Sequence, residues 1–354
     1  MKPLASILQF GLVILGLPCA GVTAAPARNV TFLSSSDSHY READHRGGCH
    51  NDLNRASVEE MNRIGDLAWP KQLGPEKIDK PRGVVMLGDL IDDGDRAENG
   101  RQISAEQYQL FQADLGLDGS DGLLKYPMFE GWGNHDGPPI GMQKHGFSSQ
   151  GELKRRNLIR IEKKLISNVS SNGLHYSWDW DDVHFVQLNI YPADQQRASV
   201  HYSSVWHNPQ GSLAFLKADL AKNVGTSGRP VVLMAHCGFD TDWWVAQDWA
   251  EFYQAAKPYN VVLYLYGHSG TGVSTWAPQG EEHKWNCIND GQLTTGFFVI
   301  NLTGNRLRAA YRLKSHVVFT KGPDGKMQHT WDGGWGWKWL LDTRIDPVTT
   351  PATK

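Results

Sequence analysis

Cysteine is scarce in this sequence. Cys19, Cys49, Cys237 and Cys287 are the four it has in 354 residues, and Cys19 falls in an N-terminal stretch that reads as a cleaved leader. The three that remain allow at most one internal bridge plus one thiol in an oxidising compartment. The bridge expected is Cys49–Cys287, and Cys237, following His236 at the end of an apolar run, is expected to be a packing thiol. An excess of charge of one sign is lacking too. Lys and Arg total 35 against 38 for Asp and Glu, a formal net charge of −3, so there is no electrostatic footprint for a polyanion and no nucleic-acid partner is expected. The local run Lys154-Arg155-Arg156 reads as a solvated helix face. No internal repeat and no low-complexity linker divides the chain.

A long apolar run is missing as well. Gly11-Leu12-Val13-Ile14-Leu15-Gly16-Leu17 is too short to span a bilayer. With Lys2 before it and small residues from Ala20 to Ala25 after it, the segment has a secretory signal pattern with cleavage after Ala24 or Ala25. The expected organisation is a signal peptide over 1–25, one catalytic domain over 26–315 and a Trp-rich extension over 316–354 packed on it. The mature chain is expected to be soluble and secreted or periplasmic, with no transmembrane segment.

Five short polar clusters each end an apolar run: Asp37-Ser38-His39, Gly88-Asp89, Gly133-Asn134-His135-Asp136, His236, and Gly267-His268. The runs before them, 29–33, 83–87, 127–130, 230–235 and 261–266, are β-prone and nearly continuous in apolar residues, the pattern of strands buried on both faces. Ligands in open α/β sheets collect at the carboxyl ends of such strands, so topology brings the clusters together. Helices are expected over 57–67, 104–115, 151–166 and 211–221, and hairpins over 174–188 and 294–313. An oxygen and nitrogen donor set without thiolate suits Mn, Fe, Zn or Mg, and a carboxylate shared between two such ions builds a dinuclear hydrolytic site.

The ordered set Asp-x-His, Gly-Asp, Gly-Asn-His-Asp, His, Gly-His resembles the calcineurin-like metallophosphoesterase superfamily, which includes purple acid phosphatases, cyclic-nucleotide phosphodiesterases and acid-sphingomyelinase-like enzymes. The resemblance covers residues 29 to 313. It implies an α/β fold, a four-layer αββα sandwich of two facing mixed β-sheets flanked by helices, and a metal-dependent phosphoester hydrolase; with the leader pattern, the substrate expected is an extracytoplasmic small-molecule or lipid-headgroup phosphoester. It implies two metal ions that activate a water and clamp the phosphate. Asp37 and His39 would hold the first ion, Asp89 would bridge, and Asn134, His236 and His268 would complete the second. His135 would face the substrate as proton donor or phosphate partner, with Asp136 orienting its ring.

One position departs from that pattern. The superfamily usually ends in Gly-His-x-His, whereas Gly267-His268-Ser269-Gly270 puts glycine at the last metal histidine. Water, His45 or His50 would then replace the ligand, or the first site stays incomplete and the chain is a weakened phosphate-ligand binding protein. A strict phosphodiesterase of a phospholipid or nucleotide is the other alternative. Arg41 and Arg46 in the insert 40–55 are candidate phosphate contacts, the turn Asp92-Asp93-Gly94-Asp95 reads first as an acidic turn, and Trp132, Trp243, Trp244, Trp276 and Trp285 are candidate pocket walls. His175, His184, His201, His207, His316 and His329 carry no site role.

Overall fold

The computed structural model describes residues 28–197, 205–239 and 243–345; the segment 1–25 read as a leader and His201 lie outside them. Twelve strands and five helices carry the architecture. The strands are β1 (Asn29–Ser35), β2 (Val84–Met86), β3 (Met128–Glu130), β4 (Tyr176–Trp180), β5 (Val183–Gln187), β6 (Pro230–Met234), β7 (Asn260–Tyr266), β8 (Thr271–Trp276), β9 (Trp285–Asp290), β10 (Gly296–Thr303), β11 (Arg306–Lys314) and β12 (Trp335–Arg344). The helices are α1 (Asn51–Arg63), α2 (Ile103–Leu115), α3 (Ser149–Glu162), α4 (Ser212–Asp219) and α5 (Ala246–Ala256).

The first sheet has the order β12-β11-β10-β1-β2-β3, and the second runs β8-β9-β7-β6-β5-β4 with a two-residue edge strand, Asn168–Val169. Each is mixed. Strands β1, β2 and β3 run parallel, as do β5, β6, β7 and β9, while the outer strands return antiparallel. Alternation along each strand divides the apolar side chains into three layers. Val30, Phe32, Val85 and Phe129 of one sheet meet Phe185, Val232, Met234 and Leu265 of the other in the central layer. Leu33, Val84 and Met86 face Val58, Met61 and Phe111 of α1 and α2, and Leu233 and Tyr264 face Leu216 and Phe252 of α4 and α5. Two facing sheets between helical layers give the expected αββα sandwich. Among the described residues, no helix is long and apolar enough to cross a membrane.

Helices α1 to α4 stand where patterning put them, with shifted ends, while α5 was not anticipated. The Cys49–Cys287 bridge is not made: Cys287 lies on β9 in the helix-facing layer of the second sheet, whereas Cys49 Sγ rests 3.6 Å from the Arg41 carbonyl in the insert. Arg156 is not on a solvated face. It is 2 % exposed and paired with Glu130 at 2.6 Å.

The tryptophans of the tail find a use in the sheet. Trp335–Arg344 pairs antiparallel with β11 and extends the first sheet by its edge strand, and Trp335 and Trp331 cover Lys314, whose ammonium lies 4.6 Å and 5.5 Å from their rings. Burial pushes the Lys314 pKa down to about 7, with Glu60 and Asp52 opposing. The unfolded chain, near about 10.4, then binds more protons than the folded one between these values, so this group's destabilisation is full below about pH 7 and relieved as pH rises toward 10. Lys314→Met is therefore expected to gain stability over wild type at pH 6 and to lose that advantage by pH 10, read from urea midpoints across the range. A constant offset between the two proteins would refute the assignment.

Candidate metal centre

All five clusters meet at the carboxyl ends of β1, β2, β3, β6 and β7. Their backbone is unusual. Asp37 (φ 50°), His39 (φ 41°), Asp89 (φ 51°) and His268 (φ 69°) adopt the left-handed region, a strain that non-glycine residues carry only where surrounding structure enforces it. The enforcement is tight packing of the loops. A Cβ on Gly133 would sit 2.2 Å from Asp89 Oδ1, and one on Gly267 would sit 1.9 Å from Ser36 Oγ and 2.7 Å from Asp37 Oδ2. Glycine before Asn134 and before His268 is what lets neighbouring ligand loops touch.

His236 is fully buried, and its Nδ1 lies 3.0 Å from the Leu87 carbonyl. Donation there points Nε2 at Asn134 Oδ1 (2.9 Å), His268 Nδ1 (3.2 Å) and Asp89 Oδ2 (3.3 Å). Four lone-pair-bearing atoms thus converge, spaced close to the roughly 3.0–3.4 Å expected between adjacent ligands about 2.1 Å from a common ion. The protons report the same field. Burial lowers the His236 pKa, but the Asp89 carboxylate outweighs it and raises it to about 9, the mark of a site whose field favours positive charge. Burial and the neighbouring His236 push His268 down to about 4, neutral and ready to ligate.

On the other side, His39 Nε2 lies 3.7 Å from both Asp37 Oδ1 and Asp89 Oδ2. Asp37 also accepts the His268 N–H at 3.0 Å, tying the two halves together. Asp89, 2 % exposed, belongs to both donor groups, one with His236 and His268 and one with His39 and His135. Despite its burial, the histidines around it hold its carboxyl well below the usual range. The donor set fits two hard or borderline cations sharing one carboxylate.

The residues around this centre differ in part from expectation. His135 was given no metal role, yet it stands within ligand reach of His39 and Asp89. Asp136 does not orient its ring. The Asp136 oxygens accept from the N–H groups of Gly133 (2.7 Å), Leu90 (2.9 Å) and Ile91 (3.2 Å), which pins the β2 and β3 loops to each other. The His135 ring is held instead by Nδ1 against the Asp92 carbonyl at 2.8 Å. Asp92, read first as a turn residue, also has its carboxylate 3.3 Å from His39 Nδ1, the outer partner that metal-bound imidazoles usually have. Its place three residues after Asp89 was the available signal.

No insert residue replaces the histidine missing at Gly270. His45 Nε2 is spent on Asp92 (3.0 Å) and Asp93 (3.2 Å), which raise its pKa to about 9, and His50 pairs with His329 at 3.0 Å. Arg41 is bound to Asp92 at 2.8 Å. Gly270 itself borders a cavity of about 400 Å³ with Asp37 and His268. Of the tryptophans, Trp132, Trp244 and Trp285 are core residues, while Trp243 lies edge-on to His268 with ring centres 5.0 Å apart. Trp206, not foreseen, lines a cavity of about 300 Å³ with Asn134 and His135.

Comparison with known families decides the identity. The profile of the calcineurin-like phosphoesterases matches residues 30–271. The chain belongs to this calcineurin-like phosphoesterase family. Its members use dinuclear metal centres, and two candidate donor groups of this chain share Asp89. A search of curated proteins finds no match. Among solved structures, the phosphoesterase chain is similar to GAP50, the anchor in the inner membrane complex of Plasmodium (TM-score 0.49, 11 % identity, 91 % of this chain and 90 % of that one). It is also similar to purple acid phosphatase PPD1 from yellow lupin seeds (0.48, 16 %, 82 % and 52 %) and to TT1561 of Thermus thermophilus (0.42, 12 %, 78 % and 94 %).

Proposed function

We propose that this phosphoesterase is an exported enzyme that hydrolyses a small-molecule or lipid-headgroup phosphoester. The observation that carries the reading is the pair of donor groups that share Asp89, one of which brings His135 to the wall of a cavity. Asp37, His39 and Asp89 would hold one ion, and Asp89, Asn134, His236 and His268 the other. When bound, such ions supply positive charge for the phosphate and a water acidic enough to attack it near neutral pH.

The chain's own groups supply the rest. In protonated His135, Nδ1–H is fixed by the Asp92 carbonyl, and Nε2–H is the proton that a departing alkoxide takes. The leader pattern over 1–25 supports export, which puts the substrate outside the cytoplasm. His135→Ala is expected to lower kcat by about 10²- to 10⁴-fold, the usual range for acid-base groups, and less for a nitrophenyl ester whose leaving group needs no proton. Metal content, measured on the same samples, is expected to stay unchanged. Loss of an ion with the side chain would make His135 a ligand, unchanged turnover would remove it from the proton transfer, and a metal-loaded wild type that binds phosphate without turning over either ester would leave a phosphate-binding protein as the better reading.

A further inference from the structure

The insert and the tail meet over one face of the metal centre. The antiparallel ribbon Val318–Lys321 with Met327–Thr330 packs on the insert, where Met327 N–H donates to the Gly47 carbonyl at 3.3 Å. Between them lies a cavity of about 120 Å³ whose walls include Asp37, His39, His50, Asn54, Gln292 and Phe319. It opens beside the side chains that would hold the first ion. The ribbon lies beyond the residues the family profile matches.

One polar side chain in this wall points to a ligand, that of His50. Its Nδ1 is 3.0 Å from His329 Nδ1, and His329 Nε2 is 2.8 Å from Asp52 Oδ2. In the neutral relay, His329 donates to Asp52, His50 Nδ1–H donates to His329, and His50 Nε2 keeps its lone pair. Burial, His329 and Arg41 all push the His50 pKa down, with Asp52 opposing, which favours the neutral ring. The Phe319 ring lies edge-on at 5.2 Å between centres and walls the same ring.

We infer that this cavity recognises a hydroxyl group on the alcohol portion of the phosphoester, with His50 Nε2 accepting its hydrogen bond. The inference rests on the hydrolase reading and narrows it to esters of hydroxylated alcohols. His50 is a specificity residue here, and Asp52 and His329 position it.

The test compares glycerol 2-phosphate, phenyl phosphate and inorganic phosphate on metal-loaded wild type, His50→Ala and His329→Ala. Both variants are expected to lose roughly 2- to 10-fold in kcat/KM for glycerol 2-phosphate, the worth of one neutral hydrogen bond, and nothing for phenyl phosphate. In protein carrying 15N-labelled histidine, the His50 Nε2 resonance is expected to move on adding glycerol 2-phosphate and to stay put with inorganic phosphate. Equal losses on both esters, or a His50 resonance that does not move at saturating glycerol 2-phosphate, overturn the inference. If wild type turns over neither ester, the hydrolase reading fails by itself, and the resonance alone then decides whether the cavity takes a hydroxylated phosphate.

Discussion

Asp89→Asn is expected to remove turnover and most of the bound metal together. The substitution keeps the shape of the side chain and takes away one negative charge from the point where both donor groups meet. Asp89 Oδ1 already accepts the His135 N–H at 2.8 Å, and Oδ2 lies 3.3 Å from His236 Nε2. A carboxamide offers one oxygen and one N–H₂, so one of those two directions would present a donor where an acceptor is needed. Losing an outer hydrogen-bond partner of a metal ligand already costs about 10- to 100-fold in affinity, and loss of the shared ligand should exceed that. Elemental analysis of the purified variant, beside turnover with Mn, Fe, Zn or Mg added back, checks it. A variant that keeps both ions and its rate would show that the two ions do not share this carboxylate.

What was legible in the sequence follows from how this fold is built. Each ligand cluster ends a strand buried on both faces, so five apolar runs announced five site segments, and glycine before Asp89, Asn134 and His268 marked loops packed against one another. The frame was legible for the same reason, since the apolar runs of β6, β7 and β10 report burial directly. The parts that escaped depend on contacts distant in sequence. His50 and His329 are 279 positions apart, and nothing local to either says that a tail ribbon will return to the insert. Arg156 looked solvated because its neighbours Lys154 and Arg155 are exposed; only the position of Glu130 decides otherwise. The role of Asp92 was hidden by an ordinary turn composition, and that of Asp136 by its place after a histidine, though its oxygens go to backbone N–H groups. Cys49 and Cys287 show the converse: counting suggested a bridge, and the two residues fall in different layers.

Glu130→Gln is expected to produce the largest loss of stability away from the metal centre. Glu130 ends β3, four residues before Asn134, and is fully buried between two arginines of α3. Arg156 Nε lies 2.6 Å from Oε1, and Arg160, also fully buried, bonds Oε2 and the Met128 carbonyl. Burial raises the Glu130 pKa, but the two guanidiniums outweigh it and hold the carboxyl below its ordinary value. A buried ion network adds little over an apolar replacement, yet removing one partner strands the others, at a cost of about 3–5 kcal/mol. Glutamine fills the same volume, so no cavity term contributes, and the loss reads the uncompensated charge alone. Urea unfolding of the metal-loaded protein measures it, and a change under about 1 kcal/mol, as for an exposed pair, would mean that water reaches the arginines. The loss should also reach the active centre. Arg160 grips the β3 backbone at Met128 and Tyr176 Oη holds it at the Glu130 carbonyl at 2.8 Å, and the strand so fixed delivers Asn134 and His135 within reach of Asp89. Relaxing that strand end should weaken metal retention in the variant more than any other buried polar change outside the ligand set.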